Sequence, residues 1–530
     1  MANKNMAKKP AGKKSEKSFE ETLWDAANKL RGSVESSEYK HIVLSLIFLK
    51  FISDTFEKQR QKLIDAGLEK HIDMVPAYTK DNVFYLPEES RWSFIQKNAK
   101  QEDIALKIDS ALSTIEKTNK ALQGALPDNY FSRLGLDVSK LSALIDVINN
   151  IDTLANPHED VVGRVYEYFL ANFAIAEGKG KGEFYTPKSI VNLIAELIEP
   201  YKGKIYDPCC GSGGMFVQSM KFIENHKGNK KDVSVYGQEY TGATYKLAKM
   251  NLAIRGISAN LGAAAKDTFA NDQHETLKAD FIMANPPFNQ KDWRASDELV
   301  DDYRWDGYET PPIGNANYAW ILHMVSKLSE SGVAGFILAN GALSGDGAEK
   351  AIRQKLVENG LVEAIIILPM KMFYTTDISV TLWVINKNKR ERTVPHEDLT
   401  RHYRNREDKV LFMDLRKHGE PFEKKYVQFS PEKIADIAET LHTWQEVRAE
   451  TEYQDIAEYC YSATKKEIAA KDYSLVPSKY IEFKNHDEDV DFDQKMSQIR
   501  DDFTTLLKQE EKSKSELLSV FEGLGYEIKL

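Results

Sequence analysis

Apolar residues first recur at three- and four-residue spacings at Leu23, Ala26, Ala27 and Leu30, the rhythm of a helix with one buried face. Residues 42–56 are almost continuously apolar, and charge returns at Glu57. A run of that length and richness predicts a helix buried on most sides. Helical patterns follow over 104–118 and 138–154, with no regular period-two run between them. Residues 18–165 therefore read as an all-helical domain, with a looser linker around 70–95. A helix over 162–176 leads into Gly178-Lys179-Gly180-Lys181-Gly182, a flexible stretch, and then into Glu183-Phe184-Tyr185-Thr186-Pro187-Lys188. Thr186 is the expected N-cap and Pro187 the expected first residue of a helix that runs over 188–198 and stops before Pro200.

From there the pattern alternates between short apolar runs and helical periods. Strands are predicted over 204–206, 233–236, 279–283, 335–338 and 364–368, with a further strand over 379–385 that can run antiparallel. Helices over 243–255 and 319–329 fall between them. This is the grammar of an open α/β sheet covered on both faces, placed at 166–395. Charge runs dominate after Lys389, and a small region of mixed signals is expected over 396–485. The tail, 486–530, repeats Phe492, Met496, Ile499, Phe503 and Leu506 in steps of four and three, and Leu517, Phe521 and Leu524 resume the face. Such a helix either folds back on its own domain or grips another subunit.

Composition changes little in this picture. The chain has 530 residues, 42% hydrophobic and 29% charged, enough for several domains. No run approaches the roughly 20 apolar residues of a bilayer span, and residues 41–52 are too short and too far in for a secretory signal, so a cytoplasmic protein with no membrane partner is expected. Three cysteines exclude a disulfide scaffold, and eleven histidines show no zinc-ligand spacing. The net charge of -10 is awkward for a chain that binds nucleic acid alone. It leaves open a local basic groove, or a partner that does most of the recognition. The six lysines in residues 1–17 read as a disordered, solubilising tail, with a nucleic-acid-seeking arm as the other reading.

Two segments carry chemistry. The first is Asp207-Pro208-Cys209-Cys210-Gly211-Ser212-Gly213-Gly214-Met215, a glycine-rich turn between a strand and a helix. It is neither the dinucleotide G-x-G-x-x-G pattern nor a Walker loop. Alone it fits dinucleotide binding, S-adenosylmethionine binding or turn geometry equally. Glu239, after the second strand, can accept hydrogen bonds from both hydroxyls of a ribose. Asp267 would lie near the third strand end, by a cofactor's adenine, and a turn aspartate is the competing reading. Residues 183–188 could cover the methionine end of S-adenosylmethionine. Cys209 and Cys210 read as small space-fillers.

The second segment is Ala284-Asn285-Pro286-Pro287-Phe288, after a buried strand. An exocyclic amine is a poor nucleophile because its lone pair is delocalised into the ring. The Asn285 side-chain oxygen can accept one of its hydrogens and the Pro286 backbone oxygen the other. Pro287 stiffens the loop, and the Phe288 ring can stack on an extruded base. The expected chemistry is in-line methyl transfer from sulfonium to nitrogen, with acceptors facing the charge that develops. A cytosine-ring methylase would need a cysteine here, and none lies between Phe281 and Trp293. The motif alone does not separate adenine from cytosine amines or planar amides.

At these residues the chain resembles the modification subunit of type I DNA restriction-modification enzymes, over nearly its whole length beyond the lysine-rich tail. The resemblance implies an S-adenosylmethionine-dependent, Rossmann-like adenine methyltransferase core behind a helical N-terminal domain and before a C-terminal helical tail. It places the family's N-terminal cofactor motif on Glu183, Phe184, Tyr185, Thr186, Pro187 and Lys188, its glycine loop on Ser212, Gly213 and Gly214 after Asp207, its ribose-binding acid on Glu239 and its catalytic tetrapeptide on Asn285-Pro286-Pro287-Phe288. It further implies DNA as substrate, a separate specificity subunit bound by two modification subunits, and a restriction subunit that translocates DNA. Two rivals share the motifs: a self-contained adenine methylase, and a glutamine N5-methylase acting on protein.

Overall fold

The computed structural model describes Trp24, Asp25, Asn28, residues 36–154, Tyr168, Phe169, Asn172 and residues 186–373, 377–396, 399–422, 426–448, 451–484 and 492–523. Glu183, Phe184, Tyr185, the lysine-rich tail and most of the helix expected over 162–176 lie outside these residues. The chain forms two units, 1–481 and 482–530.

The first unit begins with helices. Ser36–Asp65 carries the continuous apolar run, and Ile42, Val43, Leu46, Ile47, Phe48, Leu49, Ile52 and Phe56 are all buried. Helices Ile104–Thr118 and Val138–Asn149 pack around it, the latter capped by Asp137, whose carboxylate accepts the Lys140 amide at 3.0 Å. The stretch expected as a loose linker is instead part of this core. Tyr78, Leu86, Trp92 and Ile95 are buried, and the Tyr78 ring stacks on Phe56 at 4.7 Å. Its apolar residues are aromatic anchors spaced by short helical turns, so they carry no period for a sequence pattern to reveal.

Among the described residues thirteen strands follow: β1 (Gly203–Asp207), β2 (Val233–Gly237), β3 (Ala259–Asn260), β4 (Ala279–Ala284), β5 (Leu328–Ala339), β6 (Val362–Ile367), β7 (Val380–Asn386), β8 (Arg392–His396), β9 (Leu399–Tyr403), β10 (Lys409–Asp414), β11 (Glu420–Phe422), β12 (Tyr426–Gln428) and β13 (Cys460–Thr464). Nine form one sheet in the order β13-β10-β6-β7-β5-β4-β1-β2-β3. β7 runs antiparallel between β5 and β6. Every residue of β6 and β7 is buried, which is why both read as unbroken apolar runs. The helix expected over 319–329 ends at Lys327, because β5 begins at Leu328 and pairs with Ala279 there.

The sheet does not stop at 395. β10 adds parallel to β6, and β13 adds antiparallel to β10, so the small region expected over 396–485 extends the same sheet. A buried ion pair ties the addition down: Arg406 Nε lies 2.9 Å from Glu363 Oε1, and Gln445 Nε2 donates to the same oxygen at 3.0 Å. Helix Pro431–Gln445 packs on helix Lys188–Ile198.

Helix Gly242–Ile254 serves two cores at once. Its Tyr245, Ala248 and Leu252 belong to the sheet's core, and its Leu247, Met250 and Ile254 to the core of the helical domain. Lys246 and Lys249 donate to the carbonyls of Leu126 and Gln123 at 3.0 and 2.9 Å.

The second unit is helix Phe492–Gly523. Met496, Ile499, Phe503, Leu506 and Leu517, all on the expected face, are exposed.

Candidate active site

β1 and β4 lie side by side and parallel, with Tyr206 opposite Ile282. From β1 the sheet continues to β2 and β3 on one side; from β4 it continues to β5 on the other. The order reverses between them, which opens a crevice beyond their carboxyl ends. Both chemistry-bearing segments leave from that edge: the glycine loop after Asp207 and the Asn285 segment after Ala284. Glu239 follows β2 on the same edge.

The glycine loop is held by backbone bonds to its neighbour. Cys210 donates to the Gln238 carbonyl at 2.9 Å, and Gly211 N–H donates to Glu239 Oε2 at 3.0 Å. Glu239 Oε1 accepts the Thr241 amide at 2.8 Å. The carboxylate is thus fixed between two loops. Gly211 and Gly213 have φ of 54° and 80°, which a side chain would oppose. They differ in surroundings. A Cβ on Gly213 would press on Leu252 at 3.3 Å, whereas a Cβ on Gly211 or Gly214 would enter open space. Gly213 serves packing, and the empty ground beside Gly211 and Gly214 is a cradle that fits a ligand.

Asp207 closes β1, buried, with Oδ1 accepting the Cys209 amide at 3.0 Å. Burial pushes its pKa up to about 7, and the nearby charge of Glu239 adds to the rise. Burial, with the charge of Asp207, also pushes the Cys209 and Cys210 thiols well above their ordinary range, so neither is a thiolate nucleophile.

Asp267 Oδ1 accepts the amides of Phe269 and Ala270 at 2.7 and 2.9 Å, the geometry of a turn aspartate. The same loop is anchored by Gln238, fully buried, whose amide donates to the carbonyls of Lys266, Asp267 and Asn271. Thr186 is not the N-cap expected for helix Lys188–Ile198. Pro187 occupies that position, and the Thr186 hydroxyl is engaged elsewhere: it accepts a hydrogen bond from Asn285 Nδ2 at 3.0 Å. Lys188 is exposed at the helix start.

Asn285 is half-buried, and its Oδ1 is buried with no hydrogen-bond partner among the described residues. A buried acceptor without a donor is costly unless a ligand supplies one. The Phe288 ring meets Phe373 edge-on at 6.0 Å and 80°. Asn289, at φ 52°, is gripped by Asn317: its amide donates to Asn317 Oδ1 at 3.0 Å, and Asn317 Nδ2 donates to Asn289 Oδ1 at 2.9 Å. Below the sheet edge, Tyr206 OH lies 3.1 Å from His323 Nε2. Burial and the adjacent Arg304 lower the His323 pKa to about 3, so the ring is neutral.

Gln238, Asn317 and Phe373 were not singled out from the sequence. Gln238 stood in full view beside Glu239, and a buried polar residue at a strand end is the signal it offered. Asn317 and Phe373 reach the site from 28 and 85 residues beyond their partners, and nothing local marks them. Among the described residues, no group of three or more His, Cys, Asp or Glu side chains is placed to hold a metal. No described helix is long and apolar enough to cross a membrane.

The family model for N-6 DNA methylases matches residues 157–489, and that for the HsdM N-terminal domain matches residues 19–151. The methylase subunit of the type I restriction enzyme HindI from Haemophilus influenzae is 39% identical, over 83% of this chain and 100% of that protein. That of MjaIX from Methanocaldococcus jannaschii is 33% identical, over 96% and 92%. The crystal structure of a type I restriction-modification methyltransferase subunit from Streptococcus thermophilus shares the fold, with a TM-score of 0.71 and 22% identity over 88% of this chain and 99% of that one.

Fold and matches together define an S-adenosylmethionine-dependent methyltransferase of the N-6 DNA methylase class. The chain belongs to the family of type I restriction-modification methylase subunits, and as a modification subunit it methylates the N6 amine of adenine in DNA.

Proposed function

We propose that Asn285 and Pro286 hold the amine of an extruded adenine, while the crevice between the glycine loop and Glu239 holds the cofactor. The observation that carries this reading is the Oδ1 of Asn285, without a hydrogen-bond partner among the described residues, at the switch point of the sheet. An adenine amine offers the missing donor, and the Pro286 carbonyl accepts its second hydrogen. Phe288, backed by Phe373, stacks on the base. S-adenosylmethionine, when bound, supplies an electrophilic methyl group. Glu239 accepts from the ribose hydroxyls, and Gly211, Ser212, Gly213 and Gly214 let the backbone approach the cofactor closely. Asp207 underlies the loop. Residues 183–188 cover the methionine end, and Asp267 shapes the adenine end through its turn. The acceptors act where positive charge grows on nitrogen, so their effect is largest in the transition state.

In this reading two such chains join one specificity subunit, which reads the DNA sequence, and a restriction subunit joins them. The helical domain spans 18–165, the catalytic core starts near 166, and the exposed face of helix Phe492–Gly523 is covered by a partner. The test incubates the chain with labelled S-adenosylmethionine and unmethylated DNA, with and without its specificity subunit, and digests the product to nucleosides. N6-methyladenine is the expected product. Asn285→Ala should lower transfer by at least about 100-fold, the scale of losing an electrostatic stabiliser, and leave cofactor binding intact. Transfer at the wild-type rate by that variant refutes the clamp.

A further inference from the structure

β6 runs parallel to β4, because β7 is antiparallel to both β5 and β6, and β5 is parallel to β4. The turn that leaves β6 therefore rises at the sheet edge that carries Asn285. Burial along this turn changes abruptly. Leu368 and Pro369 are buried, Met370 and Lys371 are exposed, and Met372 and Phe373 are buried again. Phe373 meets the Phe288 ring at 6.0 Å. Two residues span at most about 7 Å, so Lys371 stands at the rim of the pocket assigned to the base.

The backbone there is firmly set. Lys371 has φ 62°, a left-handed conformation that a lysine adopts only at a cost. A second element holds it in place: the Lys371 carbonyl accepts the Val427 amide of β12 at 3.0 Å. Gly419, just ahead of β11, packs against both Val427 and Pro369 with no room for a side chain. The Lys371 side chain has no such tie. Among the described residues its ammonium makes no hydrogen bond and no ion pair. A strained backbone that packs nothing and presents a bare charge is aimed at something outside the chain. With a net charge of -10 the chain as a whole repels phosphates, so a fixed cation beside the catalytic crevice is a local exception.

We propose that Lys371 contacts a backbone phosphate of the DNA strand whose adenine enters the clamp. This rests on the assignment of Asn285 and Phe288 as the site of the extruded base. Extrusion turns a nucleotide about its own backbone, so the flanking phosphates stay at the mouth of the pocket. Met370, 56% exposed beside the lysine, offers an apolar surface to the adjoining sugar. A phosphate contact fixes register and carries no sequence information, which leaves the reading of bases to other groups.

The experiment uses the full-length chain assembled with its specificity subunit, as wild type, Lys371→Ala, Lys371→Arg and Asn285→Ala. Affinity for a duplex carrying the recognition sequence, and for one lacking it, is measured by fluorescence anisotropy across a salt series. Calorimetry gives the affinity for S-adenosylmethionine, and thermal melting monitors folding. Loss of one phosphate contact lowers the slope of log affinity against log salt by about 0.9 in K371A. Between about 50 and 200 mM salt the wild type then loses about 3.5-fold more affinity than the variant. The same change appears on both duplexes, K371R keeps the wild-type slope, and cofactor affinity in K371A stays at the wild-type value. If K371A melts below the assay temperature, Lys371→Gly, which takes φ 62° without strain, carries the same comparison. A wild-type slope in the charge-free variant overturns the proposal. So does a loss confined to the recognition sequence, which would make Lys371 a base contact, and so does a cofactor affinity that falls with the slope, or a K371R as weak as K371A. Methyl transfer at the wild-type rate by N285A overturns the clamp. An inactive N285A beside a wild-type slope in K371A rejects the role of Lys371 alone.

Discussion

Three neighbouring glycines carry different duties, and single methyl groups separate them. Gly213→Ala must accept both a left-handed backbone and a 3.3 Å contact with Leu252. We expect it to lower stability by about 1–3 kcal/mol, visible as a reduced melting temperature. Gly214→Ala meets neither obstacle, so its stability should stay within about 1 kcal/mol of wild type, while its affinity for S-adenosylmethionine falls because the methyl group enters the cradle. Equal melting temperatures for the two variants would show that packing does not distinguish them. Asp207 offers a test through pH. Its folded pKa, about 7, lies above the unfolded carboxylate value, so the folded state favours the proton. Its contribution is full below the unfolded pKa and declines as pH rises, to a plateau above about 7. Asp207→Asn removes that titration. Its melting temperature relative to wild type should therefore rise between pH 5 and pH 8, and a constant difference contradicts the assigned burial. The chemistry at this scale was readable where it was local: Asn285, Glu239 and the glycine loop are contiguous signatures. The bond between Thr186 and Asn285 was not, because a helix-cap reading of Ser or Thr before proline accounts for the same residue locally.

Secondary structure was legible where period and burial agree. β4, β6 and β7 are apolar runs of strand length, and helix Ser36–Asp65 declares itself by a run too long for a strand. Legibility failed where packing overrode the pattern. The apolar positions of residues 70–95 are irregularly spaced and show no rhythm, yet Tyr78, Trp92 and Ile95 fill the helical core. β10 and β13 sit in a charged stretch, and what recruits them to the sheet is an exposed edge of β6 together with the buried Arg406–Glu363 pair. Both are long-range facts. Long elements also place the site: β1 and β4 pair across 76 residues, Ile205 against Phe281, and only that pairing brings the glycine loop and Asn285 to one edge. The sequence order of the motifs announced their identity but not their adjacency.

Over the whole molecule, the net charge of -10 and the exposed apolar face of the terminal helix lead to the same expectation. A chain with this balance relies on a partner for part of its hold on DNA, and a helix showing Met496, Ile499, Phe503 and Leu506 to solvent is suited to helical pairing. We expect removal of residues 490–530 to weaken assembly with the specificity subunit while leaving cofactor affinity unchanged. Light scattering of the mixed subunits checks the first and calorimetry the second; an unaltered complex mass removes the tail from the interface.

Helix Gly242–Ile254 has a consequence for chimaeras between relatives. Its outer side chains complete one module and its inner ones steady the glycine loop through Leu252. A crossover near residue 155 looks harmless on a linear map, yet it parts Leu247, Met250 and Ile254 from the surface they evolved against. Hybrids joined there should lose the loop's rigidity unless the donor's version of this one helix travels with its amino-terminal half.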